Sequence, residues 1–281
     1  MKTEPIVIIG PNGKTGSRVQ QRLRQQGYAT LGVSRSSTPA FDWEQPDNWQ
    51  HALKGAKSAY VTFYPDLAVP GAQEAIRRLI REATAAGVEH LVLLSGRGEE
   101  GARKAEQALI NSGLDWNLVR CSWFAQNFSE SFMLEGILAG NLALPADTVL
   151  EPFVDADDIA DVAVAALTRP DLRNQLFELS GPRALSFAEC VQMISDASGR
   201  PIRYTTIDLN DFLQELEVQG IPQQFRWLMK ELFGKVLDGR NTPTTTGVQQ
   251  ALGRPATSFE DYVDKTRASG IWNPQPDRAY A

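Results

Sequence analysis

The chain has 281 residues, 42% of them hydrophobic, which is enough to form the core of one large α/β unit or of one such unit with an added lobe. Its net charge of −6 argues against a nucleic-acid partner, and its two cysteines, Cys121 and Cys190, match no metal-binding or redox spacing. The chain enters its first strand without a charged and apolar leader, and no apolar run approaches the ~18 residues of a membrane span, so we expect a soluble, cytoplasmic protein without membrane contact.

The first predicted strand runs directly into a glycine-rich turn. Residues 6–16 read IVIIGPNGKTG, four apolar residues followed by three glycines at three-residue steps, and residues 17–26 carry a helical pattern. This order is typical of a dinucleotide pyrophosphate site, because glycines let the backbone approach phosphates and the helix-start amides receive negative charge. The cofactor contacts predicted in this turn are Gly10, Asn12, Gly13, Lys14, Thr15 and Gly16. The alternative for the lysine is a solvated position in the loop.

The end of the second predicted strand indicates which dinucleotide binds. Residues 28–37 read YATLGVSRSS, and residues 5–41 contain no Asp or Glu. An NAD site needs a carboxylate here for the ribose 2′-hydroxyl, whereas an NADP site needs an arginine for the 2′-phosphate. Arg35, with Ser34 and Ser36 beside it, therefore predicts NADP (NADPH) as the cofactor, the alternative being an arginine that faces water.

Positive charge is also concentrated in this part of the sequence. Residues 1–40 hold six Lys and Arg against one acidic residue, which leaves −11 for residues 41–281. We therefore expect the basic side chains of the first forty residues to lie where phosphates bind.

Strands and helices alternate further along the chain, which predicts an α/β fold of the Rossmann type, a doubly wound parallel sheet covered by helices on both faces. Later strands are predicted at residues 41–43, 58–63, 90–95, 116–120 and 176–179, and helices at 46–53, 70–87, 102–111, 122–138, 155–167 and over most of 181–272. The predicted divisions are residues 1–121 with about 148–180 as an NAD(P)-binding domain, about 122–147 with 181–272 as a smaller, mostly helical and discontinuous substrate lobe, and 273–281 as a flexible tail.

Six segments of the chain together resemble a known family. In order, they are the glycine turn, the residues 33–37, Val92–Ser95, Ser112–Trp116, Leu118–Arg120 with Trp123–Asn127, and Pro152–Ala160. They resemble the NmrA-like atypical short-chain dehydrogenase/reductases, and within that group the festuclavine/agroclavine dehydrogenase type of ergot-alkaloid reductase. The likeness is good over residues 5–200 and thin afterwards. It implies an NADPH-dependent oxidoreductase or, as in NmrA itself, a regulatory protein that senses NADP(H) without catalysis.

The resemblance also shows what this chain lacks. Short-chain dehydrogenases normally use a Tyr-x-x-x-Lys pair as proton donor and ribose ligand, but no tyrosine occurs here between Tyr64 and Tyr204. The candidate catalytic residues are Tyr64, after the strand at 58–63, and Lys104, whose spacing places it about a turn from the lysine of related reductases. Each could instead face solvent. Without an acid, the chemistry that remains is hydride transfer to a conjugated or already charged acceptor such as an imine or iminium.

Aromatic residues follow the strand at 116–120, at the sheet edge where ligands bind in doubly wound folds. Together with Tyr64, the residues predicted to bind a small cyclic or aromatic substrate are Trp123, Phe124, Asn127 and Phe128. Core packing is the alternative for Trp123 and Phe128. Thr62 and Ser95, at the ends of two further strands, are predicted cofactor contacts, although Ser95 could equally cap its strand.

Three acidic residues precede an apolar helical run. Asp155, Asp157 and Asp158 are predicted to be helix-start residues rather than a metal or acid–base cluster. His51 and His90 are isolated, so no metal site is predicted. The oligomeric state is left open between a monomer and a homodimer.

Overall fold

The structure is a computed structural model that describes residues 2–273, so residues 274–281 of the expected flexible tail lie outside the described part of the chain. The chain forms two compact units. The first consists of the residues up to Ser122, Ala156–Ser180 and Thr245–Ala256. The second consists of Trp123–Asp155, Gly181–Thr244 and the chain from Thr257.

Eight strands are present in the described residues: β1 (Lys2–Ile9), β2 (Tyr28–Val33), β3 (Ser58–Val61), β4 (His90–Gly96), β5 (Asp115–Cys121), β6 (Asn141–Leu144), β7 (Gln175–Leu179) and β8 (Arg203–Thr206). Six of them form the parallel sheet of the first unit in the order β2-β1-β3-β4-β5-β7. Ile6–Ile9 in β1 are all buried, as expected for a parallel strand covered on both faces. The predicted Rossmann-type fold is confirmed.

The α-helices among the described residues are α1 (Lys14–Gln25), α2 (Trp49–Leu53), α3 (Ala72–Ala86), α4 (Glu100–Ile110), α5 (Met133–Ala139), α6 (Ala156–Thr168), α7 (Phe187–Ser198), α8 (Leu209–Val218), α9 (Gln223–Glu231), α10 (Gly247–Leu252) and α11 (Phe259–Arg267). In the first unit, α6 packs with α1 and α10, and α3 packs with α2 and α4, which gives two helical layers flanking the sheet. Within residues 2–273, no helix combines the length and the apolar character that a membrane span requires.

Ion pairs join α1 to α6. Arg18 and Arg22 donate to Asp157 at 3.2 and 2.7 Å, and Arg22 also donates to Asp161 at 2.6 Å. These two arginines therefore face a neighbouring helix. The expectation that the basic residues of the N-terminal segment gather at a phosphate site is wrong for them, because carboxylates distant in the sequence neutralise them.

The three aspartates near the start of α6 have structural partners. Asp158 pairs with Arg254 at 2.7 Å, and Asp155, in the second unit, accepts a hydrogen bond from Gln126 at 2.6 Å. Asp157 and Asp158 lie in the first turn of α6, where negative charge is favourable. Within residues 2–273, no three His, Cys, Asp or Glu side chains are grouped so as to hold a metal ion.

The strand predicted at residues 41–43 does not join the sheet. Phe41 and Trp43 instead pack against each other, with a centroid distance of 5.0 Å, and both pack against Trp49 at 5.2 Å, while Asp42 forms an isolated β-bridge with Gln45. Burial of these rings against each other outweighs the strand propensity of so short a segment.

The second unit has a core rich in aromatic rings and a small sheet. Phe128 packs against Phe153, Phe187 and Phe259, and β6 pairs with β8 in parallel. That strand pair lay in segments predicted to be helical or left unassigned. Residues 148–155 belong to this unit and residues 245–256 to the first, the reverse of the sequence-based division.

Candidate functional site

The glycine turn connects β1 to α1 in a single tight reversal. Gly10 has a φ of +82°, a conformation that side chains disfavour, and the backbone N–H of Gly13 donates to the carbonyl of Gly10 at 3.1 Å. Gly13 is then the N-cap residue of α1. The turn therefore brings the end of β1 directly to the start of α1.

The three glycines of this turn meet different surroundings. A Cβ atom at Gly10 would lie 2.3 Å from the Thr62 hydroxyl oxygen, and one at Gly16 would lie 2.1 Å from the Gly10 carbonyl oxygen. At Gly13 the nearest atom would be 3.4 Å away, and this residue is exposed. Gly10 and Gly16 thus allow the turn to close, while Gly13 presents bare backbone to a ligand.

The helix start is suited to an anion. Gly13 has no side chain with which to cap α1, and the first turn, Lys14–Ser17, contains no acidic residue. First-turn amides have no acceptor within their own helix, and the helix dipole places partial positive charge there. Lys14 begins the helix, and Thr15 is buried behind the turn. These residues fit a pyrophosphate group, whereas Asn12 is simply exposed beside it.

Strand register brings three chain segments together at this edge of the sheet. Ile9 of β1 aligns with Val33 of β2 and with Val61 of β3, so Gly10 emerges between the residues that follow those two strands. One of these is Thr62, whose hydroxyl donates to the carbonyl of Ile9 at 2.9 Å. The side chain of Thr62 thereby fastens β3 to β1 beneath the turn.

The segment after β2 is folded tightly on itself. The Ser34 backbone N–H donates to the Ser37 hydroxyl at 2.8 Å, and the Ser34 and Ser36 hydroxyl oxygens lie 3.3 Å apart. Arg35 is exposed between them, and its guanidinium carbon lies 6.0 Å from the centroid of the Tyr64 ring. Arg35 and these hydroxyls provide the donors that a ribose phosphate would require.

Ser95, at the end of β4, belongs to a polar network. Its hydroxyl donates to the Glu106 carboxylate at 2.6 Å, and Arg120 donates to the same carboxylate at 2.9 Å and to Glu178 at 3.0 Å. Arg97 donates to Glu178 at 2.8 Å. The hydrogen bonds that Arg120 donates to the Glu106 carboxylate raise the pKa of Arg120. The buried Ser95 hydroxyl is therefore engaged by Glu106 of α4, a partner that neither sequence-based reading of Ser95, as a cofactor contact or as a cap of its strand, included.

Sequence reasoning missed this network and also a carboxyl pair. Asp66 follows β3 and hydrogen-bonds Glu99, the N-cap residue of α4, and burial raises the pKa of Asp66. The available signal was a charged residue in line with the apolar positions of its helix, because Glu106 lies on the same face of α4 as Ala102, Ala105 and Leu109. Residues 33 positions apart, such as Asp66 and Glu99, leave no such local signal.

The candidate catalytic residues lie at the surface of the first unit. Lys104 is 58% exposed in its side chain and pairs with Glu100 at 2.6 Å, one helical turn away. Tyr64 is 62% exposed. Lys104 therefore faces solvent, the alternative to a catalytic role. Tyr64 is also exposed, and its ring lies near Arg35.

The predicted substrate residues divide into two kinds. Phe128 is fully buried in the core of the second unit, whereas Trp123 is partly exposed and packs edge-on against Phe187 of that core at 5.6 Å. Phe128 is therefore withdrawn as a substrate contact, because no part of it is accessible. Phe124 and Asn127 are partly exposed and keep side-chain surface for a ligand.

Comparison with known proteins gives matches over nearly the whole chain. Residues 10–170 match a family described as NAD(P)H-binding. The chain is 28% identical to the NAD(P)H azoreductase of Xenophilus azovorans, over 92% of this chain and 96% of that protein. It is 26% identical to the agroclavine dehydrogenase of Claviceps fusiformis, over 95% and 98% of the two chains. The predicted similarity to clavine dehydrogenases is confirmed.

A solved structure shows the same fold. The triphenylmethane reductase of a Citrobacter species, complexed with NADP(H), superimposes with a TM-score of 0.76 and 17% sequence identity, over 94% of this chain and 99% of that one. At this level of identity the likeness establishes the architecture.

Proposed function

Because the chain belongs to the NAD(P)H-binding family, whose pattern spans residues 10–170, we propose that it is an NADPH-dependent reductase acting on a small cyclic or aromatic acceptor. Its relatives include an NAD(P)H azoreductase and an agroclavine dehydrogenase, which supports this proposal. The single observation that carries the proposal is the open glycine turn at the start of α1, with Arg35 beside it.

The pyrophosphate of the cofactor is held at the glycine turn. Gly13 leaves room for it, the first-turn amides of α1 donate to it, and Lys14 supplies positive charge. Asn12 and Thr15 complete the predicted contacts of the turn. A side chain at position 10 or 16 would distort the backbone that presents these amides.

Arg35 selects NADPH over NADH in this proposal. It is exposed directly after β2, and Ser34 and Ser36 add hydroxyl donors beside it. A guanidinium donates to a phosphate through two parallel hydrogen bonds, and residues 5–41 offer no carboxylate that would prefer a ribose hydroxyl.

The proposed reaction is hydride transfer to an imine, an iminium or another conjugated acceptor, without a Tyr-x-x-x-Lys pair. When bound, the reduced nicotinamide supplies the hydride. Two features support a reaction of this kind: the sequence has no tyrosine between Tyr64 and Tyr204, and Lys104 is paired with Glu100 at the surface. An acceptor that already carries positive charge needs no proton donor in the hydride step.

The substrate-binding proposal retains Phe124 and Asn127. Both are partly exposed, and Asn127 can both donate and accept a hydrogen bond from a polar group of the substrate. Trp123 is also partly exposed, and its contacts with Phe187 and Phe233 fix its ring at the edge of the aromatic cluster, so it stays in the proposal as a residue that holds this segment in place.

The test is a turnover screen coupled to a binding measurement. NADPH and NADH are titrated calorimetrically, and NADPH oxidation is followed at 340 nm with azo dyes, quinones, cyclic imines and N-alkylated iminium salts. We expect NADPH to bind more tightly and at least one of these acceptors to be reduced. Tight NADPH binding without turnover of any of them would favour the alternative, a non-catalytic protein that senses NADP(H).

A further inference from the structure

Two loops meet above the glycine turn. Because Ile9 is in register with both Val33 and Val61, the chain leaves β2 and β3 at the same height on either side of β1. Arg35 lies two residues beyond the end of β2, and Tyr64 lies three residues beyond the end of β3. These two side chains approach each other across the strand that carries the phosphate turn.

The two loops are also joined by an apolar contact. Trp43, in the loop after β2, packs against Phe63, the neighbour of Tyr64, at a centroid distance of 4.6 Å. Trp43 is held in turn by Trp49 at 5.2 Å. The backbone that carries Tyr64 is therefore anchored through its neighbour, and the tyrosine ring is presented in a defined place.

Arg35 faces that ring. Its guanidinium carbon is 6.0 Å from the ring centroid, within the range of a cation–π interaction. Both side chains are exposed, so each would otherwise sample many rotamers. A planar ring beside the guanidinium limits this freedom and keeps the donors of Arg35 near the end of β2.

We propose that Tyr64 is a specificity-determining residue, whose ring positions Arg35 for the cofactor 2′-phosphate and whose hydroxyl is not required for this. The inference rests on the proposed preference for NADPH and assigns Tyr64 to recognition of the adenosine half of the dinucleotide. This assignment takes the place of the two roles that the sequence suggested for Tyr64, proton donor and substrate ligand.

The test compares two nucleotides that differ only in the 2′-phosphate, adenosine 2′,5′-bisphosphate and AMP, titrated calorimetrically into the full-length protein. Tyr64→Leu removes the aromatic face, whereas Tyr64→Phe keeps it and removes only the hydroxyl. We expect Tyr64→Leu to weaken bisphosphate binding about two- to fivefold, the range of an exposed cation–π interaction. AMP affinity should stay the same, and Tyr64→Phe should bind both nucleotides like the native protein.

A double substitution separates this inference from the proposed function. If Tyr64 acts through Arg35, Arg35→Ala/Tyr64→Leu binds the bisphosphate no more weakly than Arg35→Ala alone. If Tyr64→Phe and Tyr64→Leu lose the same bisphosphate affinity, the hydroxyl and not the ring is responsible, and the inference is overturned. A loss in Arg35→Ala without any in Tyr64→Leu would overturn the inference and leave the proposed function standing. If Arg35→Ala loses no bisphosphate affinity, both the inference about Tyr64 and the proposed selection of NADPH by Arg35 are refuted.

Discussion

A Cβ atom placed on Gly16 would lie 2.1 Å from the carbonyl oxygen of Gly10, so the first and third glycines of the turn are in contact through backbone alone. The middle glycine has no such neighbour, and its nearest atom would be 3.4 Å away. Gly10 and Gly16 are thus needed for the turn to close, whereas Gly13 is needed for a ligand to reach the backbone. A substitution at Gly16 should therefore lower stability, and one at Gly13 should remove cofactor binding.

Gly13→Val should abolish dinucleotide binding, because a branched side chain would occupy the place of the pyrophosphate. Its Tm without cofactor should fall only modestly, since the position is open. Gly16→Ala is the matched control and should lower the Tm of the free protein by forcing the turn apart. Calorimetric titration and thermal unfolding measure the two effects, and normal NADPH binding by Gly13→Val would place the cofactor elsewhere.

Native protein should bind NADPH at least about tenfold more tightly than NADH, because a charge-assisted hydrogen bond to the 2′-phosphate contributes about 1.5–3 kcal/mol. Arg35→Ala should remove most of this difference without unfolding the protein, since Arg35 is exposed. Equal affinities for the two dinucleotides in the native protein would contradict the role of Arg35.

Two carboxylates on α4 should differ sharply when made neutral. Glu106→Gln should lower the free energy of unfolding by about 3–5 kcal/mol, because it breaks a buried pair and leaves Arg120 short of a partner. Glu100→Gln should cost at most about 1 kcal/mol, because its pair with Lys104 is exposed. Chemical denaturation gives both values, and similar losses would contradict the assignment of the first pair to the core.

The rate of reduction should follow the iminium fraction of a cyclic imine substrate as the pH is varied, and it should be independent of pH for an N-alkylated iminium salt. The turnover rate of Tyr64→Phe should fall by far less than the ~100-fold expected when a positioned general acid is removed. Lys104→Met should keep native turnover, because Lys104 pairs with Glu100 at the surface. A large loss in Tyr64→Phe would reveal a proton donor there.

Stability should fall in mild acid because of His90. Its side chain is buried, Nε2 lies 2.9 Å from Asn117 Oδ1, and burial lowers the pKa of His90 from 6.5 to about 4. The unfolded chain therefore takes up the proton first, so the stabilisation is complete above pH 6.5 and is lost as the pH falls towards 4, by about 3 kcal/mol.

His90→Gln provides the control for this acid sensitivity, since glutamine can hydrogen-bond Asn117 and does not titrate. The urea midpoint of the native protein should drop more steeply between pH 7 and 4.5 than that of His90→Gln. Parallel pH profiles for the two proteins would assign the acid sensitivity to other groups.

What could be predicted from the sequence follows from the range of the interactions. The glycine turn and the arginine after β2 depend on a few consecutive residues and a helix start, so local pattern was sufficient to place them. The partners of Arg18, Ser95 and Phe128 are set by tertiary packing, which no local pattern encodes. For the same reason, the sequence did not decide whether the aromatic residues at 123–128 line a substrate pocket or pack in a core.

The division of the first unit into three stretches of chain has a consequence for its synthesis. The glycine turn is synthesised well before α6, which neutralises Arg18 and Arg22 and follows more than a hundred residues later. Arg254 and α10, which pack on α6, come last. A nascent chain therefore carries an unfinished first unit until residue 256 has been added, and we expect cofactor capture to begin only after that residue has emerged.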